Sequence, residues 1–156
     1  MIEEKFEAVS QRALNSVEGI KRTGLKIIDL KERYSKTLMP LEGNVNHVGM
    51  MYAGSLFTIG EFSGGIIHLV SFDINRFFPI VKEISIRFRR PALTDVTLEV
   101  SFTKEEADSI QAEAEKNEKA DFTLDLEIKD QENEIVSIVN GVWQIRKIPE
   151  GMDVSI

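Results

Sequence analysis

The stretch Asn46–Gly65, reading NHVGMMYAGSLFTIGEFSGG, decides how this chain folds. Its first four residues, Asn46-His47-Val48-Gly49, have loop character, and from about Met50 the chain is mostly apolar as far as Val70. Leu56, Ile59, Ser63, Ile66, Ile67 and Val70 recur at helical steps. Glu61 sits in the middle of this segment. A lone carboxylate there is costly to bury unless it is paired, neutralised or used. Helical offsets of three, four and seven put Gly54, Thr58, Gly65 and His68 on the face of Glu61. The spacing predicts a helix over Met50–Val70, apolar over most of its surface, with one narrow stripe of small and polar residues around the acid. His68, two turns beyond Glu61 and near the helix end where a positive charge is favoured, reads as structural.

Upstream, Ile2, Phe6, Val9, Ala13, Val17 and Ile20 predict one packing helix, with Gly19 and Gly24 bracketing its end. Leu25–Leu41 reads as a single long strand, followed by a loop from about Pro40 that contains Gly43 and Asn44. Downstream, four strands are expected. Ile84–Phe88, Val96–Phe102 and Phe122–Ile128 alternate apolar with polar residues, whereas Ile135–Ile145 is apolar at nearly every position, as in a strand covered on both faces. Asp130–Glu134 connects the last two as a hairpin. Between the second and third lies a surface helix, Thr103–Lys119, with capping-box spacing at Thr103 and Glu106. A single sheet with one apolar face needs a cover, and the Met50–Val70 helix is the element apolar enough to supply it.

Composition bounds the function. The 156 residues suffice for one domain with a real core, and 42% hydrophobic with 29% charged residues is ordinary for a globular chain. A net charge of −7 disfavours nucleic acid as a partner. The absence of cysteine removes disulfides, thiolate metal sites and thiol nucleophiles together. With His47 and His68 the only histidines, no metal site is expected. Glu3, Glu4 and Lys5 directly after Met1-Ile2 do not make a signal peptide. Glu61, His68 and several glycines make the apolar stretch a poor membrane span. The expectation is a soluble, cytoplasmic protein without a membrane partner. A single domain over 1–156 is expected, divided into an N-terminal helix (1–22), a core (23–148) and a weakly ordered tail (149–156).

The element order resembles the α+β hot-dog fold, in which a curved antiparallel sheet wraps a long central helix. The start of the helix resembles that of hot-dog thioesterases of the phenylacetic-acid-pathway and 4-hydroxybenzoyl-CoA thioesterase types. Their pattern, N-x-x-G-x-x-H-G-G-x-x-x-x-L-A-D/E, reads here as Asn46, Gly49, Tyr52-Ala53-Gly54 and Ile59-Gly60-Glu61, without a gap. Phe88-Arg89-Arg90-Pro91-Ala92 resembles the family's strand ending in F-x-R-P-A. Tyr52 stands where the family usually has His, and Ala53 where it has the first Gly. The chain most resembles a poorly characterised branch of thioesterase relatives that carries the extra helix before the last hairpin.

The resemblance implies an acyl-CoA thioesterase. It gives Glu61 the role of nucleophile or general base, Ala53 N–H that of oxyanion donor at the helix start, and Asn46 that of a side-chain amide holding the water or the carbonyl. Tyr52 and Gly54 belong to the substrate-binding surface, Tyr52 either ordering the loop or donating a hydrogen bond. The acyl group is expected in an apolar slot between helix and sheet, near Phe57 and Phe62. Arg87, Arg89 and Arg90 either meet the phosphates of coenzyme A or form a solvated strand face. No cofactor is implied, coenzyme A entering as part of the substrate, and acyl carrier protein remains open as the alternative carrier.

Helix geometry adds one point. Ala53 and Glu61 are eight residues apart, about 12 Å along a helix. A carboxylate and an oxyanion donor both near one thioester carbon do not fit that separation. A homodimer with helices side by side resolves it, Glu61 of one chain meeting Asn46 and Ala53 of the other, with Gly60 and Gly64 allowing close approach; pairing into a dimer of dimers is a further option. Two rivals stand. A non-catalytic acyl-CoA-binding dimer is kept open by Tyr52. A 3-hydroxyacyl dehydratase would pair His47 with Glu61, although the loop around His47 lacks the Phe, Pro and Gly of that branch.

Overall fold

The computed structural model describes residues 1–154, so the end of the expected 149–156 tail lies outside the described residues. The elements are α1 (Glu4–Ser16), α2 (Glu18–Thr23), β1 (Lys26–Lys31), β2 (Tyr34–Met39), α3 (Ala53–Ser71), β3 (Phe77–Phe88), β4 (Val96–Ser101), α4 (Lys104–Asn117), β5 (Lys119–Lys129) and β6 (Ile135–Lys147). The six strands form one antiparallel sheet in the order β1-β2-β4-β5-β6-β3. α3 packs across it, touching every strand from β2 to β6. This is the expected hot-dog arrangement. β6 lies inside the sheet between β5 and β3, which accounts for its nearly continuous apolar sequence.

α3 is long and apolar enough to cross a membrane by length and composition, but 67% of its apolar window is buried inside the protein. Ile59, Ile66 and Ile67 are fully buried in the core with Val96, Ile128, Val139 and Ile145 of the sheet. The glycines expected to admit a second chain face this sheet instead. A Cβ at Gly60 would lie 2.9 Å from Val139 Cγ2, and one at Gly64 would lie 2.1 Å from Trp143 Cε2. Their missing side chains let β6 come close to the helix within one protomer.

Three expectations upstream and downstream need correction. The single helix over Ile2–Ile20 is two helices, because Val17 is extended (φ −117°, ψ 113°) and redirects the chain. Ile2 is not helical but bridges Leu30 of β1. The single strand over Leu25–Leu41 is a hairpin, turning at Glu32-Arg33 with Arg33 in the left-handed region (φ 59°). No Gly or Asn marks that turn, so the usual hairpin signal is missing. A register shift between Ile27 and Asp29 explains the adjacent isoleucines: Ile27 is buried while Ile28 turns outward. The strand expected over Ile84–Phe88 starts earlier, at Phe77. It holds Pro79 because it is an edge strand, where a missing N–H is tolerated. The helix before the last hairpin is present, and Thr103 and Glu106 form the expected capping box.

Candidate active site

The start of α3 is set by the loop before it. Asn46 Oδ1 accepts the N–H groups of Val48 (3.0 Å) and Met50 (3.1 Å), and Gly49 takes a positive φ of 83° that closes the turn. Met51 N–H donates to the Ala92 carbonyl (2.9 Å), pinning the loop to the segment after β3, and Tyr52 N–H donates to the carbonyl of Asn44 (2.7 Å), closing the loop on itself. The oxygen of the Asn46 amide is therefore occupied, and its NH2 end is left as the available donor. Tyr52 is the N-cap residue of α3 but supplies no side-chain cap. Ala53 N–H, at the first helical position, has no carbonyl within the helix to reach. Asn46, Ala53, Met51, Leu56, Phe88 and Ala92 line a cleft of about 330 Å³ at this helix start. The arrangement offers two donors at the positive end of a helix beside an apolar wall, suited to a developing oxyanion.

Glu61 is not in that cleft. It lies two turns along α3, in a second groove of about 230 Å³ formed with α1 and α2. Burial alone lifts its carboxyl above the ordinary range, and no cation pairs with it among the described residues. It belongs to the open stripe of α3, where Ala53 and Phe57 are exposed and Gly54, Thr58, Glu61 and Gly65 are half-buried. His68 departs from the expected picture of a cation at a helix end. It is 0% exposed, neither ring nitrogen makes a hydrogen bond of good geometry, and burial pushes its pKa down to about 4 against a smaller upward pull from the nearby Phe77 backbone. It is a neutral core residue, with its ring 5.8 Å from that of Phe72.

The remaining predicted positions separate. The Tyr52 ring is 59% exposed and folds back over Gly54, where an added Cβ would fall 2.3 Å from Tyr52 Cε1. Tyr52 lines a different cavity with Asn46, His47, Asn44 and Arg22. His47 and Glu61 thus line separate cavities within the chain, which does not bring a dehydratase pair together. Phe62 is buried and lines the Glu61 groove, whereas Phe57 is 41% exposed on the open stripe and does not line that groove. Arg89 and Arg90 line the helix-start cleft, and Arg90 pairs with Glu134 at 3.0 Å. Arg87 is exposed on β3, outside the cleft.

Two features escaped the sequence reading. Asn44 is buried and ties three elements together: its Nδ2 donates to the carbonyls of Thr23 (2.7 Å) and Pro40 (2.9 Å), and its Oδ1 accepts from Ser55 Oγ (2.7 Å). It reads as a loop residue in the sequence, and its only signal is a second Asn two positions before Asn46. The other is the contribution of Val17 and Ile20 to the groove at Glu61. It was hidden because periodicity gives the face of a helix but not its neighbour.

Residues 20–146 match the family described as a domain of unknown function, DUF4442. No curated protein matches. Among solved structures, the chain is similar to PA5026 of Pseudomonas aeruginosa, a protein of unknown function named "probable thioesterase", with 37% identity over 95% of this chain and 99% of that one and a TM-score of 0.87. The thioesterase HI1161 of Haemophilus influenzae shares 14% identity over 95% and 94% of the two chains, with a TM-score of 0.71. The PaaI protein of the E. coli phenylacetic acid degradation operon shares 15% over 91% and 93%, with a TM-score of 0.62. The last two likenesses are of fold.

Proposed function

The chain belongs to the DUF4442 family and has the hot-dog fold of thioesterases, and on that premise we propose that it is an acyl-CoA thioesterase acting as a homodimer. The observation that carries the proposal is Glu61: an unpaired, partly desolvated carboxylate on the open stripe of α3, with an uncapped helix start on the same stripe. Within one chain these groups are about 12 Å apart. Side-by-side packing of two α3 stripes would bring Glu61 of one protomer to the partner's Asn46 and Ala53.

In that composite site Glu61 serves as general base. Burial raises its pKa towards the working pH, which improves its ability to take a proton from water. The water oxygen adds to the thioester carbon as Glu61 takes the proton. The carbonyl oxygen gains negative charge, which the partner's Ala53 N–H and Asn46 Nδ2 stabilise. Collapse re-forms the carbonyl and breaks the C–S bond. The proton passes to the departing thiolate, giving a carboxylic acid and free coenzyme A. Arg89 and Arg90, which line the same cleft, would meet the nucleotide phosphates.

The test offers purified protein a panel of acyl-CoAs with a thiol reagent, alongside Glu61→Gln. Turnover that falls by more than about tenfold in the variant, a barrier increase of about 1.4 kcal/mol, is the expected result. Binding without turnover in either protein would replace hydrolysis with acyl-CoA binding, and hydration of crotonyl-CoA dependent on His47 would replace it with dehydration. A fully active monomer would remove the composite site.

A further inference from the structure

α3 carries four glycines, and three of them have a steric reason. An added Cβ would strike Tyr52 at Gly54, Val139 at Gly60 and Trp143 at Gly64. At Gly65 it would meet nothing within 4 Å. A glycine inside a helix costs about 1 kcal/mol relative to alanine. Among the described residues no neighbour accounts for it, and Gly65 lines an open groove.

That groove is the one holding Glu61. Val17 and Ile20 form one wall, Phe62 and Leu69 the other, and Glu61 and Gly65 lie one helical turn apart on α3. Val17, at the break between α1 and α2, is 51% exposed, an apolar side chain left at the groove edge. Among the described residues, Glu61 is the only ionisable one lining the groove, and no cation does. An anionic occupant is therefore disfavoured by charge, and an uncharged apolar chain is favoured. At about 230 Å³ the space falls below the ~300 Å³ lower end of pockets for drug-sized ligands, which points to a short chain.

We propose that the acyl group of the thioester occupies this groove between α3 and the N-terminal helices, and that the bare Gly65 position sets the chain length accepted. The proposal rests on the thioesterase reading. A carbonyl held at Glu61 directs its acyl chain past Gly65 and between Val17 and Leu69. α1 ends before residue 20, where the family match begins. Part of the specificity wall is thus supplied by a segment outside the matched region.

The experiment uses the full chain as wild type, Gly65→Ala, Gly65→Leu and Val17→Ala. Turnover is measured on a saturated series from acetyl- to dodecanoyl-CoA, and oligomeric state by light scattering. Gly65→Leu is expected to lower kcat/KM about tenfold or more for the chain lengths the wild type prefers, while the shortest substrate is spared. Gly65→Ala should give a smaller shift in the same direction, and Val17→Ala a shift towards longer chains. An equal loss on every substrate, or no change on any, overturns the proposal. So does dissociation of the oligomer in both Gly65 variants, which would put a second copy in the groove. Titration with non-hydrolysable alkyl-CoA thioethers separates this inference from the reaction. If the wild type hydrolyses nothing yet binds longer thioethers more tightly, and Gly65→Leu abolishes that gain, the groove stands and hydrolysis falls. Affinity independent of alkyl length sinks the groove alone.

Discussion

The two halves of α3 differ in cover rather than in sequence character. Glu61 and His68 lie on one line of the helix, two turns apart, and both are desolvated. Around Glu61 the stripe is open, with Phe57 exposed on one side and Gly65 half-buried on the other. From Ile66 to Val70 every residue is buried. Phe72 stands against His68 and joins Phe102, Phe122 and Trp143 in an aromatic cluster. An ionisable group at the open end keeps access to water. The same kind of group under the cluster is held neutral and has no proton to exchange in the working range. The neighbours Gly64 and Gly65 repeat the contrast, one filled by Trp143 and the other facing empty space.

The sharpest way to break this comparison is Gly64→Ala. The added methyl would lie 2.1 Å from Trp143 Cε2 and 2.2 Å from its Nε1, and Trp143 is 1% exposed, stacked on Phe122 with nowhere evident to go. Overpacking of this kind costs typically 1–3 kcal/mol and occasionally more, and about 3 kcal/mol is expected here. Chemical denaturation measures it. An unchanged midpoint would mean that β6 can back away from the helix.

His68 supplies the next largest effect, and it is set by pH. Its folded pKa, about 4, lies below the ordinary 6.5, so between these values the unfolded chain binds a proton that the folded chain refuses. Stability is therefore unaffected above about pH 6.5, falls as pH drops towards 4, and stops falling below it. The full loss is about 3 kcal/mol from the size of the shift. His68→Leu should remove that slope from the acid side of the stability profile. A profile of equal steepness in the variant would place the lost protons elsewhere.

Glu61 has the opposite sign. Its folded pKa is raised, so the folded state keeps its proton more readily, and stability falls as pH rises from the ordinary carboxylate range through the raised value. Above that window the buried charge is a standing penalty. Glu61→Gln should therefore stabilise the fold at neutral pH while lowering turnover, with a gain smaller than the His68 effect. A variant less stable than wild type would show that Glu61 has a partner in the assembled protein and is structural.

Much of this contrast is legible in the sequence, but not all. The offsets around Glu61 identified Gly54, Thr58 and Gly65, which do share its open stripe, and the alternation downstream of Ile84 identified the sheet. The same offsets put His68 on that line and could not tell that it was covered. Periodicity reports direction around a helix axis, whereas depth depends on which distant strands close over it. The Glu32-Arg33 turn was missed for another reason: Arg33 adopts a positive φ without being Gly or Asn. Gly60 and Gly64 read as points of close approach, which they are, but what approaches is Val139 and Trp143 of β6 in the same chain. The cleft at Asn46 and Ala53 followed from the register of a short motif, while the groove at Glu61 required knowing where α1 and α2 pack.

The smallest effect is also the one that isolates the open side. Gly65→Ala adds a methyl to a helix interior where nothing stands within 4 Å. The residue has no positive φ to relieve, so alanine's lower backbone entropy in the unfolded chain should appear as stability, about 0.5–1 kcal/mol. On a domain of this size that is a rise of a few degrees in Tm, readable by calorimetry. Set beside Gly64→Ala, the same substitution one residue away then has opposite signs. If Gly65→Ala destabilises instead, something in the assembled protein already fills the space. In that case the glycine serves an interface between protomers and not the acyl chain.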